Sequence, residues 1–112
     1  MSRSLPEIGR VVEITRGRDA GLLCVVIGHV PDRFVIVADG DKRKVDKAKK
    51  KNVAHVRTMP YVAQEVVEEL RDQGKVTNAR LRHALRRYQE RVAEAGESVK
   101  EGGLPDGEGR RD

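Results

Sequence analysis

The fold of this chain is decided by residues 9–21, which read GRVVEITRGRDAG. Val12 and Ile14 alternate with polar neighbours, and this period of two predicts a half-buried strand. Gly17 and Gly21 then bracket a short polar segment, and glycine supplies the backbone conformations that tight turns need. The stretch therefore predicts a strand that ends in a tight turn.

The residues that follow this turn predict several more short strands. Residues 22–27, LLCVVI, form a continuous apolar run whose length fits a strand buried on both faces. Residues 34–37, FVIV, lead into the turn signal DGD at 39–41, and residues 53–56 are expected to supply the last strand. Four or five short strands with tight turns predict a small barrel or a strongly curved sheet.

After Pro60 the apolar residues recur at helical spacing, which predicts a helical hairpin. Gly74 is the stop signal of the first helix, and Thr77 is a candidate N-cap of the second. The two apolar stripes, expected to pack on each other or on the barrel, are Val62, Val66, Val67 and Leu70, followed by Leu81, Leu85, Tyr88 and Val92. From Gly96 onward no period remains, so residues 96–112 are predicted to be a disordered tail.

The charge of the chain is concentrated in its first half. The net charge is +5, and residues 1–59 carry 13 basic against 7 acidic side chains, whereas residues 60–95 carry 7 against 6. Such a balance favours a polyanionic partner, above all a nucleic acid. The densest basic run, residues 42–51, holds seven basic residues and one acid. Repulsion at this density favours phosphate binding over a merely solvated face.

Few aromatic residues are available to stack on bases. They are Phe34, Tyr61 and Tyr88, and Phe34 alternates like a core residue. The stacking platform that single-strand binders use is therefore expected to be missing, which favours structured RNA as the partner. The argument does not by itself separate RNA from DNA.

The residue types that carry catalysis or bind metals are sparse. Cys24 lies inside the apolar run and is expected to pack as a small hydrophobic residue. His29, His55 and His83 are not at metal-ligand spacing from one another. No enzymatic activity, cofactor, metal or small-molecule substrate is therefore expected. The chain also lacks an apolar stretch of the roughly 20 residues that a membrane span needs, and the predicted location is the cytoplasm.

Residues 9–27, together with RFVIVADG at 33–40, resemble the KOW motif. This motif occurs in ribosomal proteins of the large subunit and in NusG-type transcription elongation factors. The closest likeness is to small large-subunit ribosomal proteins of the eukaryotic and archaeal type, and residues 50–56 look like the closing strand of those domains. The resemblance implies an SH3-like barrel that docks on folded RNA, with Gly21 as the motif glycine. Leu22 and Cys24 depart from many KOW motifs, in which a basic residue and a second glycine are common.

The predicted fold is thus mainly β: a small SH3-like (KOW) barrel over residues 1–59, a helical hairpin over 60–95 and a disordered tail over 96–112. The predicted function is docking on structured RNA, ribosomal RNA in particular, with ribosomal proteins as further partners. The alternative is an interaction module that contacts RNA polymerase or another protein. Gly17 and Gly21 are the predicted motif turn, where a plain turn and a close approach to RNA stay equally open. The predicted RNA-binding residues are Arg16, Arg18, Lys42, Arg43, Lys44, Lys47, Lys49, Lys50 and Lys51.

Overall fold

The computed structural model describes residues 5–99, which form one antiparallel sheet and two helices. The strands are β1 (Arg10–Ile14), β2 (Leu23–Val30), β3 (Phe34–Ala38), β4 (Lys49–Asn52) and β5 (Val56–Val62). The helices are α1 (Gln64–Gln73) and α2 (Asn78–Val99), and single 3-10 turns lie at Val45–Lys47 and Val53–His55. The strand order β4-β3-β2-β1-β5 places β4 and β5 at opposite edges of the sheet. The predicted fold class, a small barrel followed by a helical hairpin, is confirmed.

The connection between β4 and β5 forces the sheet to curl into a barrel. In a flat sheet, edge strands four positions apart would be about 19 Å from each other. The chain between Asn52 and Val56 can span at most about 14 Å, and it is shortened further by the 3-10 turn. This turn touches both sides of the gap, since Val53 N donates to Arg33 O at 2.9 Å and Thr15 N donates to His55 O at 2.9 Å.

The curled sheet is buried on both faces, which explains the continuous apolar run of β2. Cys24 and Val26 point into the barrel interior, where they pack with Val12, Ile14, Val35 and Val37. Val25 points to the opposite face, where α1 and α2 cover the sheet with residues such as Leu81 and Tyr88. The prediction of a strand buried on both sides is confirmed. Burial also raises the pKa of the Cys24 thiol to about 12, which confirms this residue as a packing side chain.

The boundaries of the helical hairpin follow the predicted signals. Gly74 ends α1 with φ +74°, and its N–H donates to Leu70 O at 2.9 Å. Thr77 Oγ1 accepts the N–H of Arg80 at 3.1 Å and so caps α2. The apolar stripes pack on the barrel, as expected, although Val92 is 45% exposed.

Two details of the predicted strand pattern are wrong. Residues 53–56 are not the last strand: Asn52 Oδ1 accepts the N–H of Ala54 at 2.8 Å, and this side-chain bond turns the chain before β5 begins at Val56. Val62 belongs to β5, because the sheet continues three residues beyond position 59. The helix α2 likewise continues to Val99. The division into three segments stays a prediction, and the predicted disorder of residues 100–112 lies outside the described residues.

Candidate nucleic-acid interface

The predicted motif turn is a tight loop between β1 and β2. Gly21 N donates to Ile14 O at 2.7 Å and Leu22 N donates to Asp19 O at 2.9 Å, so the loop is closed by backbone bonds. Gly17 and Gly21 have φ of +91° and +93°, which L residues with a side chain rarely adopt. A Cβ on Gly21 would meet nothing within 4 Å. Glycine is needed at position 21 for its backbone conformation and not for lack of space.

Replacing Gly21 with valine is therefore expected to destabilise the barrel by more than about 1 kcal/mol, since a β-branched residue resists positive φ. The measurement is a chemical melt of the variant beside Ala20→Val. Ala20 is the exposed neighbour of Gly21 and its φ is not positive, so the control adds the same side chain without the strain. Equal stability of the two variants would show that the turn has no special requirement at Gly21.

Basic residues from the turn and from β4 meet at one end of the barrel. Lys51 Nζ approaches Arg16 O at 3.5 Å, and a Cβ on Gly17 would lie only 3.3 Å from the same ammonium group. Lys49 lies two residues earlier on β4, and its side chain therefore points to the same face of the sheet. Two segments of the sequence more than 30 residues apart thus bring Lys49 and Lys51 next to the backbone of Arg16. We call these three residues the rim cluster.

The acidic residue beside the rim cluster is neutralised by a basic neighbour. Arg43 Nη2 donates to Asp19 Oδ2 at 2.7 Å, and both side chains are largely buried. This hydrogen bond lowers the pKa of Asp19, and the positive charges of Lys51 and Lys49 lower it further against the opposing effect of desolvation. Asp19 is therefore ionised at neutral pH, and its charge is compensated by Arg43. Arg43 acts in the structure as a brace between the β1–β2 turn and the β3–β4 loop.

The β3–β4 loop, which carries most of the basic run, is fastened to the start of α2. Asn78 Oδ1 accepts the N–H of Val45 at 2.8 Å, and Arg82 Nη1 donates to Gly40 O at 2.7 Å. Val45 and Ala48 pack at the edge of the core that the helices form with the sheet. These contacts fasten the ten-residue loop 39–48 to the helix, and sequence reasoning did not find them. The helical hairpin therefore holds the loop that carries most of the basic run.

The remaining predicted residues of the run are held apart from carboxylates. Among residues 5–94, no carboxylate lies within salt-bridge distance of any of them. Lys44 Nζ donates to the backbone oxygen of Asp41 at 3.1 Å. The exposed members are Arg18 in the turn, Lys42 and Lys44 in the loop, Lys47 in the 3-10 turn, and Lys49 and Lys50 on β4. Their role in RNA binding stays a prediction.

Lys50 lies on the opposite face of β4 from the rim cluster, beside Phe34. Its Nζ is 4.9 Å from the centre of the Phe34 ring. The expectation that Phe34 is a core residue is wrong: it is half-buried and belongs to neither core. Alternation along β3 does place Phe34 on the face of the buried Ala38, but the helices cover that face only at the Ala38 end. The lysines of the basic run therefore lie on both faces of β4.

The arginines of α2 pair with the acids of α1 at only one described site. Arg80 Nε donates to Glu69 Oε1 at 2.8 Å, and this contact lowers the pKa of Glu69. Asp72 instead contacts Arg71 in its own helix. Arg86 and Arg87 are exposed, with no carboxylate of residues 5–94 within salt-bridge distance. Charge is thus paired across the hairpin at Arg80 and Glu69, but not at Arg86 and Arg87.

Two of the histidines contact other segments of the fold. His29 Nε2 lies 2.7 Å from Pro6 O and ties the chain before β1 to β2, and His83 Nδ1 lies 3.6 Å from Glu65 Oε2. Within residues 5–99, no three His, Cys, Asp or Glu side chains are grouped as metal ligands would be. Neither described helix combines the length and apolarity of a membrane span.

Comparison with known proteins gives three informative relatives. The YbzG protein of Bacillus subtilis, named as a candidate ribosome-binding protein, is 34% identical over 71 residues, which are 63% of this chain and 96% of that protein. The large ribosomal subunit protein eL14 of Hyperthermus butylicus is 33% identical over 54 residues, 48% of this chain and 55% of its own length. The same protein of Sulfolobus acidocaldarius is 36% identical over 50 residues, 45% and 52% of the two lengths. The chain thus spans about half the length of these eL14 relatives. No family model matches it.

The strand order, the turn at Gly21 and the relatives together define the class of this protein. It is a small ribosomal-protein-like barrel of the KOW-motif type, and the resemblance stated from the sequence is confirmed. The chain belongs to the family of YbzG, since almost the whole length of that relative is matched.

Proposed function

We propose that this protein is a non-enzymatic, ribosome-associated component of the cytoplasm that docks on structured ribosomal RNA. The observation that carries the proposal is the convergence of the β1–β2 turn and β4 on one end of the barrel, which forms the rim cluster. Like charges that lie close together repel one another, and the carboxylate beside this cluster, Asp19, is already paired with Arg43, so a bound anion would relieve the repulsion. The sugar-phosphate backbone of folded RNA is such an anion.

The surface is suited to phosphates rather than to base edges. Lysine ammonium groups act as point charges that position a polyanion and carry no sequence information. The loop of residues 39–48 is already fixed on α2, so little conformational entropy is lost when its lysines bind. Arg16, Arg18, Lys42, Lys44, Lys47, Lys49, Lys50 and Lys51 are the proposed contacts. Arg43 is proposed to hold the two loops in place, and Gly17 and Gly21 to shape the turn.

The relatives support the same partner. One carries ribosome binding in its name and others are large-subunit proteins, so ribosomal RNA and neighbouring ribosomal proteins are the partners proposed for this chain. No observation favours RNA polymerase over the ribosome.

Sedimentation of the full chain with purified ribosomal subunits tests this function. We expect comigration with the large subunit at low salt and progressive release as the salt concentration rises, because phosphate contacts release counterions. Replacing Lys47, Lys49 and Lys51 with glutamine should shift release to lower salt. The matched control removes two charges from α1 and the turn after it, Arg71→Gln with Lys75→Gln, and should sediment as the unmodified chain does.

A parallel sedimentation with purified RNA polymerase tests the alternative: comigration with the polymerase, without comigration with either ribosomal subunit, would overturn the proposal in favour of the interaction module. Retention of a constant fraction on the large subunit at all salt concentrations would contradict the phosphate-binding surface.

A further inference from the structure

The tip of the β2–β3 hairpin holds two residues in an unfavourable backbone conformation. Asp32 and Arg33 have φ of +70° and +74°, although neither is glycine. The loop of this hairpin has three residues, 31–33, between the paired Val30 and Phe34, and its last position favours glycine at positive φ, because glycine alone adopts this conformation without steric cost. Arg33 occupies that last position, and its exposed side chain makes no hydrogen bond or salt bridge to residues 5–94. The fold itself does not explain why an arginine stands there.

An uncovered part of the sheet adjoins this strained tip. Phe34 and Ile36 are half-buried on the face of β3 that the helices cover only farther along the strand. Gly28 on β2 lies opposite Ile36, and its lack of a side chain leaves this face flat. Lys50, exposed on β4, reaches over the Phe34 ring from the other side. We use the name hairpin patch for Phe34, Lys50 and Arg33, the exposed residue that precedes Phe34 at the hairpin tip.

We propose that the hairpin patch binds one unpaired nucleotide of the RNA, with the base on the Phe34 ring and the flanking phosphates on Arg33 and Lys50. This inference rests on the proposed function, because it adds a second contact to an RNA that the rim cluster already holds. An aromatic ring with one cation over it and a second cation adjacent to it in the chain matches a base flanked by phosphates. An apolar side chain of a protein partner could cover Phe34, but it would give neither Arg33 nor Lys50 an anionic partner.

The cation over the ring is compatible with a base in the same place. The contact of an exposed ammonium group with a phenyl ring is weak, and the lysine stem is flexible. A base that stacks on Phe34 therefore displaces Lys50 from the ring, and the displaced ammonium group pairs with the phosphate of the incoming nucleotide. The rim cluster, on the opposite face of β4, is not disturbed by this movement.

Two RNAs separate this contact from duplex binding: a blunt duplex and the same duplex with a three-nucleotide overhang that carries 2-aminopurine. We expect the full chain to prefer the overhang by on the order of tenfold, as stacking of one base on an aromatic side chain predicts. Binding should also quench the 2-aminopurine fluorescence. Phe34→Leu should abolish the preference and the quenching while the duplex is bound as before, and Phe34→Tyr should retain both.

The variant Arg33→Gly separates the loss of an RNA contact from general destabilisation of the fold, because stability and RNA affinity are expected to change in opposite directions. Relief of the backbone strain should raise the melting temperature by about 4 °C or more, while affinity for the overhang RNA falls severalfold. An unmodified chain that binds both RNAs equally, or a Phe34→Leu variant that keeps the preference, would overturn the inference and leave the proposed function standing. An unmodified chain that binds neither RNA would overturn both.

Discussion

Replacing Lys47, Lys49, Lys50 and Lys51 together with glutamine is expected to flatten the salt dependence of binding to a blunt ribosomal RNA duplex by up to about 3 units. Each lost phosphate contact removes roughly 0.7 to 0.9 from the slope of log affinity against log salt. The side chains are exposed or half-buried and pair with no carboxylate of residues 5–99, so the fold should survive the change. Fluorescence anisotropy at four or more salt concentrations gives the slope.

The double variant Arg71→Gln with Lys75→Gln shows whether position or total charge matters. Both side chains are exposed, on α1 and in the turn before α2, and neither belongs to the proposed contacts. If only the net charge of the protein mattered, this control would reproduce about half of the effect. If the folded quadruple variant had an unchanged slope, the basic run would be a solvated surface that does not contact phosphates.

The parts of the fold that could be predicted from sequence are those that local chemistry determines. Gly21, Gly74 and Thr77 each act within a few residues of themselves, as a turn, a C-cap and an N-cap. The strand β2 could be predicted because a strand that is buried on both faces is apolar throughout and does not alternate with polar residues. In all of these the sequence pattern and the tertiary contact require the same residue type.

The rest depended on contacts between distant residues. The strand β4, which reads KKKN, has little strand propensity, and it forms because β3 offers a free edge to pair with. The exposure of Phe34 depends on where the helices end over the sheet. The attachment of the basic loop to Asn78 and Arg82 joins residues more than 30 positions apart. Neither periodicity nor residue composition contains information about such contacts. The charged residues of the candidate surface could therefore be predicted from the sequence, but not their distribution over the two faces of β4.

Gly40→Ala is expected to destabilise the protein by more than about 2 kcal/mol, which corresponds to a fall in melting temperature of roughly 8 °C or more. Gly40 has φ +80°, and a Cβ built there would lie 2.3 Å from the backbone oxygen of Asn78 and 3.2 Å from Cγ of Arg82. The first distance is far inside van der Waals contact and involves backbone, so the loop and the start of α2 must move apart. The hydrogen bond from Arg82 to Gly40 O is then lost as well.

Gly74→Ala is the matched control, because Gly74 has a similar φ of +74° but nothing within 4 Å of a Cβ. It reports the cost of positive φ alone, so the difference between the two thermal melts isolates the close approach of the loop to α2. Because this approach holds the basic loop in place, Gly40→Ala should also weaken duplex RNA binding at a salt concentration and temperature at which the variant is folded, whereas Gly74→Ala should not. Equal melting temperatures for the two variants would contradict the tight contact, and unchanged RNA affinity in Gly40→Ala would show that the lysines bind without support from the hairpin.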